Sequence, residues 1–167
     1  MEFVYLLLGS NLGDRNDYLT EAKRLLEESV GKQTRSSSVY ETQSWGVAGL
    51  PDYLNQVIEI KTMYLPVDIL KKTQLVEEIL HRERTNKWHS RTIDIDILFF
   101  GKAIVELPEL KIPHPEIQNR LFTLVPLDEL IPDFIHPILK KTIHELKQEV
   151  NDGLPVKKYT FANKFYY

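Results

Sequence analysis

The run Ile93-Asp94-Ile95-Asp96-Ile97-Leu98-Phe99-Phe100 opens with strict alternation of apolar and charged residues. A period of two predicts a β-strand, because successive side chains on a strand leave opposite faces. Ile93, Ile95 and Ile97 then face a core. Asp94 and Asp96 share the other face, roughly 6.6 Å apart along the backbone. Two readings of that pair stand side by side. As residues of a solvated sheet face they are poorly placed, since Asp is disfavoured in strand interiors and like charges on one face repel. As hard oxygen ligands on a rigid element they suit Mg²⁺, one ion or a pair. The preceding segment, 82–91, favours the second reading. It carries Arg82, Arg84, Lys87 and Arg91. Acids that hold a metal, set beside guanidinium groups, are what a polyphosphate requires.

Composition limits the alternatives. The chain has 167 residues, enough for one domain that buries a core without covalent staples. No cysteine is present, so disulfide frameworks and Cys-ligated zinc or iron–sulfur sites are excluded. A net charge of −3 gives no footprint for general nucleic-acid binding. The apolar run near the N-terminus has no basic region before it and is too short to span a membrane. A soluble, cytoplasmic, monomeric protein is the expectation.

The order of elements follows from periodicity and punctuation. Residues 3–8 predict a central strand, apolar on both faces. A turn over residues 9–14 follows, with Asp14 placed to cap a helix whose stripe is Tyr18, Ala22, Leu25 and Leu26. Residues 33–42 predict a strand, 43–52 a loop and 53–62 a strong strand. In that strand Leu54, Ile58 and Ile60 lie on one face, and Tyr53 and Asn55 on the other. Pro66 opens a second helix with Ile69, Thr73, Val76 and Leu80 buried. The basic segment and the acidic strand come next. Short helices are expected near 125–130 and 142–150, and an added edge strand after the turn at 151–153. The resulting β-α-β-β-α-β order predicts a ferredoxin-like α+β fold: an antiparallel sheet with helices on one face and a C-terminal extension. Residues 1–150 form the single domain and 151–167 the extension packed on it. Asp94, Asp96 and Asn55 are candidates for the open face.

Other residues are ambiguous when taken singly. The turn Gly9-Ser10-Asn11-Leu12-Gly13 lacks the spacing of a Walker or dinucleotide loop, and reads as a tight turn that admits close backbone approach. His114 lies between two prolines in a stiff segment ahead of Arg120 and Phe122. It can donate to a phosphate oxygen, although a lone His is more often structural. Trp45 and Trp88 sit in polar loops, where core packing is a poor explanation and a stacked heteroaromatic ligand a better one.

Several of these segments together resemble one family. Lys87-Trp88-His89-Ser90-Arg91-Thr92-Ile93-Asp94-Ile95-Asp96-Ile97-Leu98 is similar to the signature of the 6-hydroxymethyl-7,8-dihydropterin pyrophosphokinases of folate biosynthesis. So are Gly9 to Gly13, Tyr40-Glu41-Thr42, Pro51 to Asn55, Gln74 with Glu77, and Pro113-His114 with Asn119 to Phe122. The matches run in family order over nearly the whole chain. The resemblance implies transfer of a pyrophosphoryl group from ATP to a dihydropterin hydroxymethyl group. It implies that Asp94 and Asp96 bind two Mg²⁺ ions and that Arg82 and Arg91 act in catalysis on a closing loop. Gln74, Glu77, Arg84, His114 and Arg120 would contact ATP. Thr42, Trp45, Tyr53, Asn55, Trp88 and Phe122 would hold the pterin. Four positions depart from the usual pattern: His81 and His89 where Gly is common, and Gln43 and Ser90 where Pro is common.

Two other classes share the topology. A regulatory ligand-binding domain explains the aromatic loops but not two acids beside four basic residues. An RNA-binding sheet is disfavoured by the negative charge and by acids on the face that would meet phosphates.

Overall fold

The computed structural model describes residues 1–43, 51–81 and 92–160. Trp45, Arg82, Arg84, Trp88, His89, Ser90 and Arg91 lie outside the described residues. In chain order the elements are β1 (Glu2–Ser10), α1 (Arg15–Ser29), β2 (Gly31–Ser36), β3 (Tyr40–Thr42), β4 (Tyr53–Thr62), α2 (Pro66–Ile79), β5 (Asp94–Phe100), β6 (Val105–Glu106), β7 (Lys111–Ile112), α3 (Leu121–Leu130), α4 (Ile143–Glu149) and β8 (Val156–Lys158).

The main sheet is antiparallel. β1 lies between β5 and β4, β4 pairs with both β2 and β3, and β8 closes the edge against β3. With β2 and β3 counted as one interrupted strand, the order is fourth-first-third-second, as the β-α-β-β-α-β reading requires. The expected strand over 33–42 is divided because Ser37 leaves the ladder's regular register. Its hydroxyl oxygen accepts the Val57 N–H at 3.0 Å, while its own N–H donates to the Val57 carbonyl at 2.8 Å.

Each face of the sheet carries its own core. On one face Leu6, Leu8, Leu54, Ile58, Ile60, Ile93, Ile95 and Ile97 pack with α1 and α2. Leu19, Ala22 and Leu26 form the centre of the α1 stripe; Tyr18 and Leu25 are half-buried at its rim. Asp14 caps α1 by accepting the Asp17 N–H at 3.1 Å. On the other face Tyr5, Leu7, Val57, Leu98 and Phe99 pack under α3 and α4. The C-terminal part therefore covers one end of the face expected to be open. Truncating a side chain such as Leu6, with no exposed surface, removes about 2–5 kcal/mol.

α3 begins at Leu121, a full turn before the expected start, despite Pro126 in its interior. The carboxylate of Asp152 accepts the Leu121 N–H at 3.1 Å, and the Leu124 N–H donates to the Arg120 carbonyl at 3.0 Å. These bonds satisfy first-turn donors. α4 starts in a capping box formed by Thr142 and Glu145.

Candidate active site

Strand register assembles the candidate residues into rows. Gly9 on β1 pairs with Asp94 on β5 and with Asn55 on β4, and Asn55 pairs with Tyr40 on β3. One rung along, Leu7 pairs with Asp96 and Val57. In the other direction Tyr53 pairs with Thr42. Paired residues project from the same face. Asp94, Asp96, Asn55, Tyr53 and Thr42 thus share one face, and the second core begins at the Leu7 rung. The face is polar at one end and apolar at the other.

A bulge in β5 sets this boundary. Tyr5 pairs with Phe99 and Leu6 with Ile97, which leaves Leu98 without a pairing partner on β1. Leu98 and Phe99 both enter the second core, whereas Ile95 and Ile97 stay in the first. The Leu98 carbonyl accepts the His114 N–H at 3.0 Å, which lays the Pro113-His114-Pro115 segment along β5.

His114 has a defined tautomer. Its Nδ1 accepts the Glu116 N–H at 3.2 Å, so the proton of the neutral ring is on Nε2, a hydrogen-bond donor. Burial pushes its pKa below the usual histidine range. The Asp96 carboxylate opposes that shift, the Arg120 guanidinium adds to it, and Glu116 opposes it. Asp96 and Arg120 thus both bear on His114. Arg120 also lies 5.5 Å from the ring centroid of Phe122, which is half-buried at the start of α3.

The β4 end of the face is held more rigidly. Asn55 is 4% exposed and donates from Nδ2 to the Thr42 hydroxyl at 3.2 Å. Its Oδ1 lies over Gly9, where an added Cβ would sit 2.9 Å away. Glycine at residue 9 is thus the space in which the Asn55 amide rests. On α2, Gln74 is half-buried and Glu77 is 3% exposed; the Glu77 carboxylate accepts the Ile95 N–H at 2.8 Å.

Among the described residues no three His, Asp or Glu side chains cluster as a closed metal cage. Asp94 and Asp96, both half-buried on one face, are the oxygen donors present. That set fits Mg²⁺, which usually takes one or two carboxylates and completes its shell with water and substrate phosphate.

Arg15 and His81 extend the sequence reading. Arg15 Nη1 donates to Glu41 Oε2 and to the Asp52 carbonyl, each at 2.8 Å. The signal was available: a cation in the first turn of a helix opposes the macrodipole and calls for a local reason. His81, at a position where the family commonly has Gly, adopts φ +64°, the left-handed region in which a Cβ is unfavourable.

Comparison with known proteins finds one family. Residues 5–132 match the family model described as 7,8-dihydro-6-hydroxymethylpterin-pyrophosphokinase (HPPK). The chain is 42% identical over 149 residues to the 2-amino-4-hydroxy-6-hydroxymethyldihydropteridine pyrophosphokinase of Aquifex aeolicus, covering 89% of this chain and 92% of that one. It is 42% identical over 128 residues to the Bacillus subtilis protein of the same name, covering 76% and 77% of the two chains. The crystal structure of wild-type Plasmodium falciparum HPPK-DHPS with pteroate superposes at a TM-score of 0.73 and 19% identity, over 88% of this chain and 42% of that longer one. That last likeness speaks to the fold alone. With the family model spanning residues 5–132 and near-full-length relatives at 42% identity, the chain belongs to the 7,8-dihydro-6-hydroxymethylpterin-pyrophosphokinase family.

Proposed function

We propose that the protein transfers the pyrophosphoryl group of ATP to the hydroxymethyl oxygen of 6-hydroxymethyl-7,8-dihydropterin, releasing AMP. The observation that carries this reading is the single polar face on which Asp94 and Asp96 stand beside Gly9, Asn55, Thr42 and Tyr53. One end suits a metal-bound polyphosphate and the other a flat, hydrogen-bonding ring.

Asp94 and Asp96 are the residues that would hold Mg²⁺, two ions in this reading. Bound there, the metal supplies neutralisation of phosphate charge and alignment of the reacting oxygens. The chain's own groups do the rest. His114, neutral with its proton on Nε2, donates to a phosphate oxygen, and Arg120 adds a charge-assisted bond. Gln74 and Glu77 on α2 flank the nucleotide, with Glu77 also fixing the backbone of β5. By the family resemblance, Arg82, Arg84 and Arg91 would supply further positive charge to the triphosphate and Trp88 would help cover the closed site; all four lie outside the described residues. Tyr53 and Phe122 stack on the pterin. Asn55 reads its edge with the amide orientation set by Thr42 and Gly9; by the family resemblance Trp45, outside the described residues, would join it.

The hydroxyl oxygen bonds to the β-phosphorus as the bond from that phosphorus to the α,β-bridging oxygen breaks; the bridging oxygen departs on AMP and the hydroxyl proton passes to water. Positioning and charge neutralisation provide the rate. In this reading the protein acts as a monomer in the cytoplasm. Residues 1–150 are read as the catalytic domain and 151–167 as an extension; among the described residues the pairing of β8 with β3 supports the packing of that extension on the domain. Among the described residues no helix is long and apolar enough to cross a membrane.

The decisive experiment is incubation with ATP, Mg²⁺ and hydroxymethyl-dihydropterin. AMP and pterin diphosphate should form in equal amounts. Pterin binding without AMP release would make the protein a binding module instead.

A further inference from the structure

Arg15 stands on the side of the sheet opposite to the candidate ligands, yet it touches both strands that carry them. It is the first residue of α1, which packs on the face lined by Leu54. Its Nη1 reaches Glu41 on β3 and the carbonyl of Asp52, the residue that enters β4. Glu41 precedes Thr42, and Asp52 precedes Tyr53. Thr42 and Tyr53 are the last pair of the β3–β4 ladder. One guanidinium nitrogen thus pins the residues on either side of the terminal rung.

Two other contacts meet at this clamp. Asn11 donates from Nδ2 to the Pro51 carbonyl at 3.3 Å, one residue before the Arg15 contact. The guanidinium carbon of Arg15 lies 5.7 Å from the ring centroid of Tyr159. Tyr159 is itself tied to the sheet, since its N–H donates to the Val39 carbonyl at 2.8 Å. The segment after β8 therefore braces Arg15 from outside.

The ladder end matters because the Asn55 amide depends on it. Asn55 donates to the Thr42 hydroxyl, and that bond sets which way its acceptor and its second N–H point. If the Thr42–Tyr53 rung frays, the amide loses its orienting partner and Tyr53 loses its fixed origin. We infer that Arg15, braced by Tyr159, is a positioning residue for the pterin half of the site and has no part in holding the nucleotide. The inference rests on reading Thr42, Tyr53 and Asn55 as the pterin site.

The test is binding of 6-hydroxymethylpterin to the full chain in the presence of Mg²⁺ and a non-hydrolysable ATP analogue, with the affinity for the analogue measured separately. Arg15→Met should weaken pterin binding about tenfold while analogue affinity stays within about twofold. Arg15→Lys, which keeps a donor at the same place, should recover most of the loss. Tyr159→Ala should weaken pterin binding about threefold, and Tyr159→Phe should leave it unchanged. Arg24→Ala, which removes an exposed cation of α1 paired only locally with Glu21 and Glu28, should change neither affinity. Pterin affinity within about twofold of wild type in Arg15→Met overturns the inference, as does an equal loss of pterin and analogue binding. Absence of pterin binding in the wild-type chain overturns the pterin-site reading, and this inference with it.

Discussion

The Glu77 carboxylate on α2 accepts the backbone N–H of Ile95, the residue between Asp94 and Asp96, at 2.8 Å. β5 pairs with β1 on one side and is an edge strand on the other. An edge strand presents unpaired N–H groups, and this one is buried. Glu77 satisfies it and fixes the height of the strand at the point that matters for both acids.

Glu77→Ala should therefore destabilise the fold by about 1–3 kcal/mol, because it leaves a buried N–H without its acceptor. Glu77→Gln keeps an acceptor oxygen and should cost less. Urea unfolding of the two variants checks this. Equal losses would show that charge, not the Ile95 bond, is what Glu77 contributes.

Asp94→Ala and Asp96→Ala should behave in the opposite way. Both residues are half-buried on the candidate ligand face, outside either apolar core, so turnover should suffer far more than stability. Turnover should fall on the order of a hundredfold or more. AMP release at saturating Mg²⁺ is the measurement. Near wild-type turnover in either variant would remove that residue from the metal site.

Gly9→Ala places a Cβ 2.9 Å from Asn55 Oδ1. The amide must move, and its bond to Thr42 is strained. A cost of about 1–3 kcal/mol is expected, expressed mainly as a raised KM for the pterin. If KM for ATP rose equally, Gly9 would be a general packing position.

The far end of the sheet predicts a pH dependence unrelated to catalysis. Glu59 is 5% exposed and accepts from Tyr5 at 2.6 Å, from Thr34 at 2.7 Å and from Arg35 Nη2 at 2.6 Å. Burial alone would raise its carboxyl pKa. The hydrogen bonds from Arg35, Tyr5 and Thr34 outweigh burial and hold it at about 2. The folded-state value lies below the unfolded value of about 4.3, so the stabilisation is complete above that pH and is lost as pH falls toward 2. Wild type should lose stability between about pH 5 and 2, and Glu59→Gln should show a shallower decline. Parallel declines in thermal unfolding would exclude Glu59 as the source.

Much of this protein is legible in its sequence. Alternation at Ile93 to Ile97 places two acids on one side of a strand and three isoleucines on the other, because side-chain direction has a period of two. Gly9, Asp14, Pro66 and Asn151-Asp152-Gly153 mark turns and caps through local backbone chemistry. The family motifs name residues for each part of the site. Local patterns also mislead in specific places. The helix expected near 125–130 begins a turn earlier, at Leu121, because Asp152 and Arg120 satisfy the first turn of α3 from outside it. Ser37 interrupts a strand whose composition looks continuous.

What no pattern contains is which distant residues meet. The bulge at Leu98 divides the two cores, and the Leu98 carbonyl holds the His114 backbone against β5. Register, not spacing, brings Gly9 under Asn55. Arg15 reaches Glu41 and Asp52 only because α1 packs against β1, β2 and β4 on that face of the sheet. Periodicity is a property of neighbouring bonds, so the sequence alone determined the principal strands, the two long helices and the acidic pair, but not the short β6–β7 pair or the break at Ser37. Pairing register and helix docking depend on burial summed over the whole chain, so the tertiary structure decided how those pieces became one polar face.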